Sequence, residues 1–376
     1  MDDGPGAPVH PDGTDGRGRG GTGARRLAVV VGAGVDVDRM TLAATLRRLG
    51  DRRGWAVDGA APPDPAAPAD AVLHLVGPGD PVPPWGPGAP ALVVPMTGPD
   101  AHGLAALPLV LDGLLAGVET PPDRTVALDD PARPAAPDEE RRLAVHAPAG
   151  PPAGVALLVH GGYWRSRWTP ALMTRLAADL AGRGWCAAVL GYRRPDRHGW
   201  DATVDDVRAG VVAAAALAPG RPLVLVGHSA GGQLALQAAE SVPGVALAVS
   251  LAGVVDLDAA AHRRLSEGAA RAALGDPAEH LARYDAASPA RFPRRGVPWL
   301  LVQGTDDDPD LVEMNRRLAA REDLGRPALV EGPGDHFAVV DPASGLWRAA
   351  AARLAELVEP GADRSGTEKP RRRGRP

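Results

Sequence analysis

The sequence predicts an α/β protein in which a mostly parallel sheet is covered by helices on both faces and is preceded by a smaller α/β unit. Apolar runs typical of buried strands alternate with helical segments from about residue 125 to residue 358, as expected for a parallel sheet. A shorter alternation of the same kind occupies residues 25–119. The 376 residues suffice for one large domain and one smaller one, since single cores stop growing at roughly 250–300 residues.

These patterns divide the chain into four parts. Residues 1–24 and 361–376 contain little that can be buried, so we predict two disordered tails, the second one basic. The arginine cluster of the second tail is expected to be solvated and not to bind nucleic acid. Residues 25–120 form a small α/β block of unknown role, and residues 121–360 form the larger domain. Because all candidate catalytic residues lie beyond residue 150, we expect the small block to be accessory.

In the small block we predict three strands and two helices. They span Leu27–Val31, Ala71–Val76 and Ala91–Pro95 for the strands, and about Asp38–Leu49 and Leu104–Leu115 for the helices. Gly32-Ala33-Gly34 follows the first strand, but Val37 stands where a dinucleotide-binding fingerprint has its third glycine. The sequence therefore does not favour nucleotide binding.

The larger domain is predicted to contain eight strands and five helices. The strands are Val126–Leu128, Arg142–Val145, Val155–Val159, Cys186–Leu190, Leu223–Val226, Leu247–Ala252, Trp299–Gln303 and Ala328–Glu331; the helices are Ala171–Gly182, Ala202–Ala216, Ala230–Glu240, Leu311–Ala320 and Leu346–Glu359. In such sheets, sites form at the carboxyl ends of the strands. The segment before Trp299, which contains His262 and His280, is expected to be a cap insertion.

Charge and cysteine content exclude several classes of protein. The net charge of −5 gives no electrostatic basis for binding nucleic acid. Cys186 is the only cysteine, which excludes an internal disulfide and a cysteine metal cluster. The sequence has no uninterrupted apolar stretch of about 18 residues, so no membrane span is expected.

Arg25 and Arg26 precede an apolar run, as in a twin-arginine export leader. The run, Leu27–Val35, is short and lacks a clear small-residue cleavage site before polar sequence. We therefore interpret it as the first strand and expect a cytoplasmic protein.

The clearest chemical motif is Gly227-His228-Ser229-Ala230-Gly231. It lies between a predicted strand and a predicted helix, which is the context that a G-x-S-x-G nucleophile elbow requires. The glycines relieve crowding in a strained turn, and the helix N-terminus favours developing negative charge. A turn in which Ser229 only caps the helix is the alternative. The context favours Ser229 as a nucleophile.

A serine nucleophile needs a base and an acidic partner for that base. His336 follows the strand Ala328–Glu331 late in the chain, where the base of such a protein is expected, whereas His228 lies inside the elbow. The acidic residue should come between the two, and Asp306, Asp307 and Asp308 follow the strand Trp299–Gln303. Spacing alone does not choose among these three. No accompanying ligand set makes them a metal site.

The remaining requirement is an oxyanion hole, which stabilises the negatively charged oxygen of the transition state. The strand Val155–Val159 leads into His160-Gly161-Gly162-Tyr163-Trp164. Backbone N–H groups of Gly161, Gly162 and Tyr163, with that of Ala230, are candidate donors. His160 is then expected to brace the loop and not to act as a base.

These motifs resemble the kynurenine formamidase branch of the esterase/lipase α/β-hydrolases. The resemblance rests on residues 160–164 (HGGYW), 227–232 (GHSAGG) and 335–337 (DHF), and it covers residues 125–358. It implies the α/β-hydrolase fold and selects Asp307, because the acidic residue of the family lies three positions after the glycine of a G-T-x-D segment, here Gly304. The small block has no counterpart in it.

We therefore expect a serine hydrolase that cleaves carboxylic ester or N-formyl and aryl amide bonds of small molecules through an acyl-enzyme. Trp164 is expected to bind an aryl group, although Trp164 and Trp168 can alternatively pack the loop against the sheet. N-formylkynurenine is the first candidate substrate, and the cap arginines that can meet its carboxylate are Arg263, Arg264, Arg271 and Arg283. The alternatives are a general carboxylesterase, a peptidase, or an inactive binding scaffold. No cofactor, metal or membrane partner is implied, and the oligomeric state stays open.

Overall fold

A computed structural model describes residues 25–58, 69–77, 80, 91–96, 103–128, 141–293 and 296–358. The two predicted tails, residues 1–24 and 361–376, lie outside the described residues. The chain contains two parallel-sheet units, which correspond to the small block and the larger domain of the sequence.

The small block is a four-stranded parallel sheet with two helices. Its elements are β1 (Arg25–Val31), α1 (Arg39–Arg53), β2 (Trp55–Asp58), β3 (Ala71–Val76), β4 (Ala91–Pro95) and α2 (Gly103–Glu119), and the strand order is β2-β1-β3-β4. Helix α1 begins where Asp38 accepts hydrogen bonds from the amides of Met40 and Thr41, which is the usual N-cap arrangement. The predicted elements are confirmed, except that the short strand β2 was not predicted.

Asp80 closes the loops at the carboxyl ends of β1 and β3. Its carboxylate accepts hydrogen bonds from the Gly34 amide at 2.9 Å and from the Gly77 amide at 2.7 Å. A Cβ atom at Gly32 would lie 2.0 Å from Asp80 Oδ2, so the position has no room for a side chain. The hydrogen bonds from Gly77 and Gly34 lower the pKa of the Asp80 carboxyl.

The larger domain is built on an eight-stranded sheet. Its strands are β5 (Arg124–Ala127), β6 (Arg142–His146), β7 (Val155–Val159), β8 (Cys186–Gly191), β9 (Leu223–His228), β10 (Val245–Leu251), β11 (Trp299–Gly304) and β12 (Ala328–Gly332). The order is β12-β11-β10-β9-β7-β8-β6-β5. Strand β6 runs antiparallel to both of its neighbours, β5 and β8, and the other pairs are parallel. The predicted mostly parallel sheet is confirmed.

Helices cover both faces of this sheet. They are α3 (Thr174–Gly182), α4 (Pro195–His198), α5 (Trp200–Ala215), α6 (Ala230–Ser241), α10 (Pro309–Ala319) and α11 (Gly345–Val358). Strands β7, β8 and β9 are buried along their whole length, because apolar side chains alternate between two separate cores, one on each face. The central strands are therefore fixed in register, and so are the loops that follow them.

Three short helices between β10 and β11 form the cap. They are α7 (Leu257–His262), α8 (Leu265–Leu274) and α9 (Leu281–Ala287). The predicted insertion is thus helical, and it is attached to α6 because Gln233 Nε2 donates to Ala287 O at 2.8 Å. None of the helices within the described ranges is both long and apolar enough to cross a membrane.

The small block packs on the larger domain through α2. Gly113 of α2 is buried against the backbone of Ala171, in a turn of 3₁₀ helix at Pro170–Met173 that leads into α3. Arg175 of α3 pairs with Asp112 of α2 at 3.1 Å and with Asp341 at 3.3 Å. A cleft of about 900 Å³ lies beside this contact and is lined by residues of both units.

Candidate active site

Ser229 follows β9 and begins α6 in a strained backbone conformation. Its φ is 54° and its ψ is −119°, values that non-glycine residues rarely adopt and that cost of order 1–3 kcal/mol. The turn is held because the Ser229 amide donates to Leu251 O on the neighbouring strand β10 at 2.8 Å. A strained serine between a strand and a helix is the geometry of a nucleophile elbow.

His336 and Asp307 meet beyond the ends of β12 and β11. His336 Nδ1 lies 3.0 Å from Asp307 Oδ1 and 2.9 Å from Asp307 Oδ2, and the Asp307 side chain is 3% exposed. Gln303 Nε2 donates to Oδ2 at 2.8 Å, and the Asp308 amide donates to Oδ1 at 2.7 Å. Burial raises the pKa of Asp307, but the hydrogen bond and charge of His336, with the two further donors, outweigh burial, and the net pKa lies below its usual value.

The other two aspartates have different partners. Asp306 Oδ2 accepts from the Gly334 amide at 3.1 Å and so ties the loop of His336 to the end of β11. Asp308 is the N-cap of α10, where its side chain accepts from the Asp310 amide at 2.9 Å. Only Asp307 of the three therefore contacts His336.

Ser229 and His336 lie at the same edge of the sheet, and His228, which precedes Ser229 in the chain, contacts His336. The ring centroids of His228 and His336 are 4.9 Å apart, and His228 Nε2 lies 3.0 Å from His336 O. Within the described residues the Ser229 hydroxyl makes no hydrogen bond; in sites of this kind the bond from nucleophile to base often tightens only when substrate binds. Burial, and then the charge of His336, lower the pKa of His228 to about 3, so His228 stays neutral.

The loop after β7 approaches Ser229 closely. A Cβ atom at Gly161 would lie 2.8 Å from Ser229 Cβ, so only glycine allows this approach. The amides of Gly162 and Tyr163 have no hydrogen-bond acceptor in the described part of the chain, and neither does the Ala230 amide at the start of α6. These three N–H groups are available donors beside Ser229, which is what an oxyanion hole requires.

His160 supports this loop from below. Its ring is fully buried and stacks on Tyr192 at 4.5 Å, while Nδ1 lies 2.8 Å from Gly161 O. The hydroxyl of Tyr192 donates to His160 O at 2.9 Å. Burial, with a smaller contribution from the charge of Arg194, lowers the pKa of His160 to about 3. A neutral, packed imidazole cannot serve as the base and braces the loop, as its position in the sequence indicated.

The surroundings of Trp164 favour the alternative that it packs the loop against the core, and its role in binding an aryl group stays a prediction. Its side chain is 1% exposed, packs edge-on against Trp200 at 6.0 Å, and donates from Nε1 to Gln233 Oε1 at 3.1 Å. A core position next to a buried glutamine satisfies both the ring and its N–H. Phe337 is an aromatic residue beside the site, with its ring centroid 5.2 Å from that of His336. Tyr163 is another aromatic residue, in the loop after β7. Burial and the charges of Asp308 and Asp307 raise the pKa of its hydroxyl to about 12.

The four cap arginines have different surroundings. Arg263 pairs with Asp310 and Glu313 of α10, Arg271 pairs with Asp276, and Arg283 donates to Leu274 O. Arg264 is exposed, and its side chain has no hydrogen-bond or ion-pair partner among the described residues. It lies two residues from Ser266, whose carbonyl accepts from Arg165 of the loop after β7. Of the four, Arg264 is therefore the one available to a ligand.

Sequence reasoning missed two residues of this site. Gln303 is the last residue but one of β11 and donates a hydrogen bond to Asp307. Gln233 accepts a hydrogen bond from Trp164 and donates one to Ala287 of the cap. Both are fully buried amides in apolar segments. Because buried polar side chains need hydrogen-bond partners, a glutamine in an apolar segment next to a predicted site residue could have indicated a supporting hydrogen bond.

A family model described as the alpha/beta hydrolase family matches residues 156–371, more than half of the chain. The chain belongs to the alpha/beta hydrolase family. No curated protein shows significant sequence similarity to this alpha/beta hydrolase.

Solved structures of esterases share its fold. A thermophilic esterase from the planctomycete Thermogutta terrifontis is 23% identical, with a TM-score of 0.50 and coverage of 65% of this chain and 98% of the other. A truncated carbohydrate esterase from gut microbiota is 16% identical (TM-score 0.54; coverage 64% and 98%). Esterase B from Lactobacillus rhamnosis is 17% identical (TM-score 0.51; coverage 66% and 90%). At these identities the likeness shows the fold of this alpha/beta hydrolase and not its substrate.

Proposed function

We propose that this alpha/beta hydrolase is a serine acyl hydrolase with Ser229 as nucleophile, His336 as base and Asp307 as the acid that orients the base. The observation that carries the proposal is the bidentate contact of Asp307 with His336 Nδ1 at 2.9 and 3.0 Å, at the sheet edge where Ser229 has its strained elbow conformation. A buried carboxylate on Nδ1 fixes the tautomer in which Nε2 is free to accept a proton.

The chemistry then has two steps. Ser229 Oγ attacks the carbonyl carbon while His336 Nε2 takes its proton, and the developing oxyanion accepts hydrogen bonds from the amides of Gly162, Tyr163 and Ala230. His336 returns the proton to the leaving alcohol or amine, which departs and leaves the acyl group on Ser229. Water, deprotonated by His336, then attacks the acyl-enzyme and releases the acid.

For the substrate we propose small acyl groups on aryl leaving groups, with N-formylkynurenine as the first candidate. The resemblance of residues 160–164 and 335–337 to the kynurenine formamidase branch supports a formyl-sized acyl group. The esterase from Thermogutta terrifontis has been solved with propionate bound, which is also a small acyl ligand. Arg264 is the candidate for binding the amino-acid carboxylate of N-formylkynurenine, since its side chain has no ion-pair or hydrogen-bond partner among the described residues.

The test is labelling with a fluorophosphonate probe, followed by hydrolysis of p-nitrophenyl acetate, p-nitrophenyl decanoate, N-formylkynurenine and aminoacyl anilides. Ser229→Ala should abolish labelling and lower kcat by about four to six orders of magnitude. Ser250→Ala is the matched control: Ser250 is buried on β10 opposite Gly227, and it should keep full activity.

Each alternative predicts a different result. Preference for the decanoate with no turnover of N-formylkynurenine would leave a general carboxylesterase, and preference for the anilides would indicate a peptidase. Absence of labelling and of hydrolysis in the wild type would refute the proposal and indicate an inactive scaffold.

A further inference from the structure

The loop after β7, residues 160–168, is called the oxyanion loop below, and it has positive φ angles at three successive residues. Gly162 has a φ of 113°, Tyr163 of 50° and Trp164 of 59°. Two of the three carry side chains, and each such residue costs of order 1–3 kcal/mol in this region. A segment of this kind keeps its conformation only if the surrounding structure determines it. The direction of the Gly162 and Tyr163 amides therefore depends on the contacts that hold the loop.

Three contacts of the loop lie within the larger domain. Trp164 is anchored to Gln233 at 3.1 Å, and Arg165 Nη2 donates to Ser266 O of the cap at 2.6 Å. The amide and hydroxyl of Ser166 both donate to Asp196, at 2.8 and 2.9 Å. The Arg165 amide also donates to Gly162 O at 3.0 Å, whereas the amides of Gly162 and Tyr163 have no acceptor among the described residues.

Trp168 provides the contact at Gly162. A Cβ atom at Gly162 would lie 2.3 Å from Trp168 Cγ and 2.4 Å from Trp168 Cβ, so the indole is packed directly on the Gly162 backbone. Trp168 also packs against the apolar core of the small block, to which Leu111 and Leu115 of α2 belong. Trp168 thus lies between Gly162 of the oxyanion loop and the small block.

The same block fixes the segment that follows Trp168. A Cβ atom at Gly113 of α2 would lie 3.0 Å from Ala171 O and 3.2 Å from Leu172 N, which means that helix α2 rests on the chain three residues after Trp168. Arg175, at the start of α3, pairs with Asp112 of α2. Helix α2 therefore contributes both to the core on which Trp168 packs and to the contact with the turn that follows it.

We propose that the small block positions the oxyanion loop and that Trp168 is the positioning residue through which it does so. This inference rests on the proposed function, because it assigns the Gly162 and Tyr163 amides to transition-state stabilisation. It changes the expectation that the block is only accessory: the catalytic residues all lie in the larger domain, but the geometry of two oxyanion donors depends on α2.

The first test replaces Trp168 in the full chain. Trp168→Ala should lower kcat for p-nitrophenyl acetate by about 10- to 100-fold and leave KM within about threefold, because a displacement of about 1 Å at the reacting atoms costs up to about 100-fold and affects the transition state alone. Affinity for a trifluoromethyl ketone, which forms a tetrahedral oxyanion on serine, should fall by the same factor. Trp168→Phe should restore most of both, since a ring again covers Gly162.

The second test acts from the small block, far from the nucleophile. Gly113→Leu should lower kcat by about tenfold, since its side chain must displace the backbone at Ala171 and Leu172, and Gly113→Ala should give a smaller decrease. Gly117→Leu is the matched control on the same helix, because a Cβ atom there meets nothing within 4 Å. It should leave kcat unchanged.

The outcomes separate the inference from the proposed function. A wild type that is neither labelled by fluorophosphonate nor active overturns both. A labelled, active wild type with Trp168→Ala equal to it in kcat and in ketone affinity overturns the positioning role alone. Equal effects of Gly113→Leu and Gly117→Leu, or a fall in stability with no change of kcat in folded Trp168→Ala, would also overturn it.

Discussion

Replacing Asp307 by asparagine tests the orientation of His336 without changing the size of the side chain. The carboxylate receives three donors: His336 Nδ1, Gln303 Nε2 on Oδ2 and the Asp308 amide on Oδ1. An asparagine keeps one acceptor and introduces an NH₂ group. Whichever way it is turned, this NH₂ faces Gln303 or Asp308, both of which donate, and it also lies about 3 Å from His336 Nδ1. An NH₂ donor at that distance favours the tautomer in which Nδ1 is the acceptor.

The wrong tautomer of His336 then has its proton on Nε2, where it cannot accept one from Ser229. An equivalent change in a serine protease triad lowers kcat by about 10⁴-fold, which corresponds to about 5.5 kcal/mol at 1.36 kcal/mol per tenfold. Because Asp307 has the same bidentate contact, we expect a decrease of about 10³- to 10⁴-fold in kcat for p-nitrophenyl acetate. The measurement is a steady-state assay over pH 6–9.

Asp306→Asn and Asp308→Asn are the controls for this prediction. An asparagine oxygen at position 306 can still accept from the Gly334 amide, and asparagine is as good an N-cap as aspartate at position 308. Both variants should stay within about tenfold of the wild type. Comparable losses in all three variants would refute the assignment of Asp307, as would nearly full activity of Asp307→Asn.

Three further predictions concern stability and substrate. Burial lowers the pKa of His160 and of His228 to about 3, below the value of about 6.5 in the unfolded chain, so protonation of these residues favours unfolding as pH falls below about 6.5. Urea titrations should show a free energy of unfolding about 4 kcal/mol lower from this source at pH 5 than at pH 7.5. His160→Phe should lose roughly half of that pH dependence, and an unaltered pH dependence in this variant would contradict the cause. Trp164→Ala should lower the free energy of unfolding by about 3–5 kcal/mol, with equal effects on aryl and alkyl substrates in the folded fraction; a selective rise in KM for aryl substrates would support the predicted role in binding instead. Arg264→Ala should raise KM for N-formylkynurenine at least tenfold and leave KM for p-nitrophenyl acetate unchanged, whereas the control Arg283→Ala should change neither KM. Equal KM values for N-formylkynurenine in the wild type and Arg264→Ala would exclude this carboxylate contact.

The fold of the larger domain could be predicted because its signals are local. Apolar runs such as Val155–Val159 and Cys186–Leu190 have the length and composition of buried strands, and the structure places strands there. The residues after these strands are brought to one edge by the topology of a parallel sheet alone. The positions of Ser229, Asp307 and His336 along the chain were therefore enough to predict that they lie near one another.

The properties that could not be predicted depend on contacts distant in the sequence. Nothing near Trp164 indicates that Gln233 will accept its indole N–H and hold it in the core. Similarly, the contact of Trp168 with α2 joins segments about 50 residues apart, and the strand β2 is too short to show a period. The choice among three adjacent aspartates came from the family spacing, since neighbouring residues have the same local pattern.

The carboxylate of Asp80 gives the small block an unusual property for a parallel sheet. The loops after β1 and β3 meet where the strand order reverses, the place at which open α/β sheets commonly receive a ligand, and glycine amides there suit a phosphate. In this chain a side chain of the block itself supplies the anion, through the amides of Gly34 and Gly77. A phosphate could bind these amides only by displacing the Asp80 carboxylate, which is also negatively charged and belongs to the chain itself. A unit whose ligand edge is already filled by its own fold is suited to be a rigid support for a neighbouring domain.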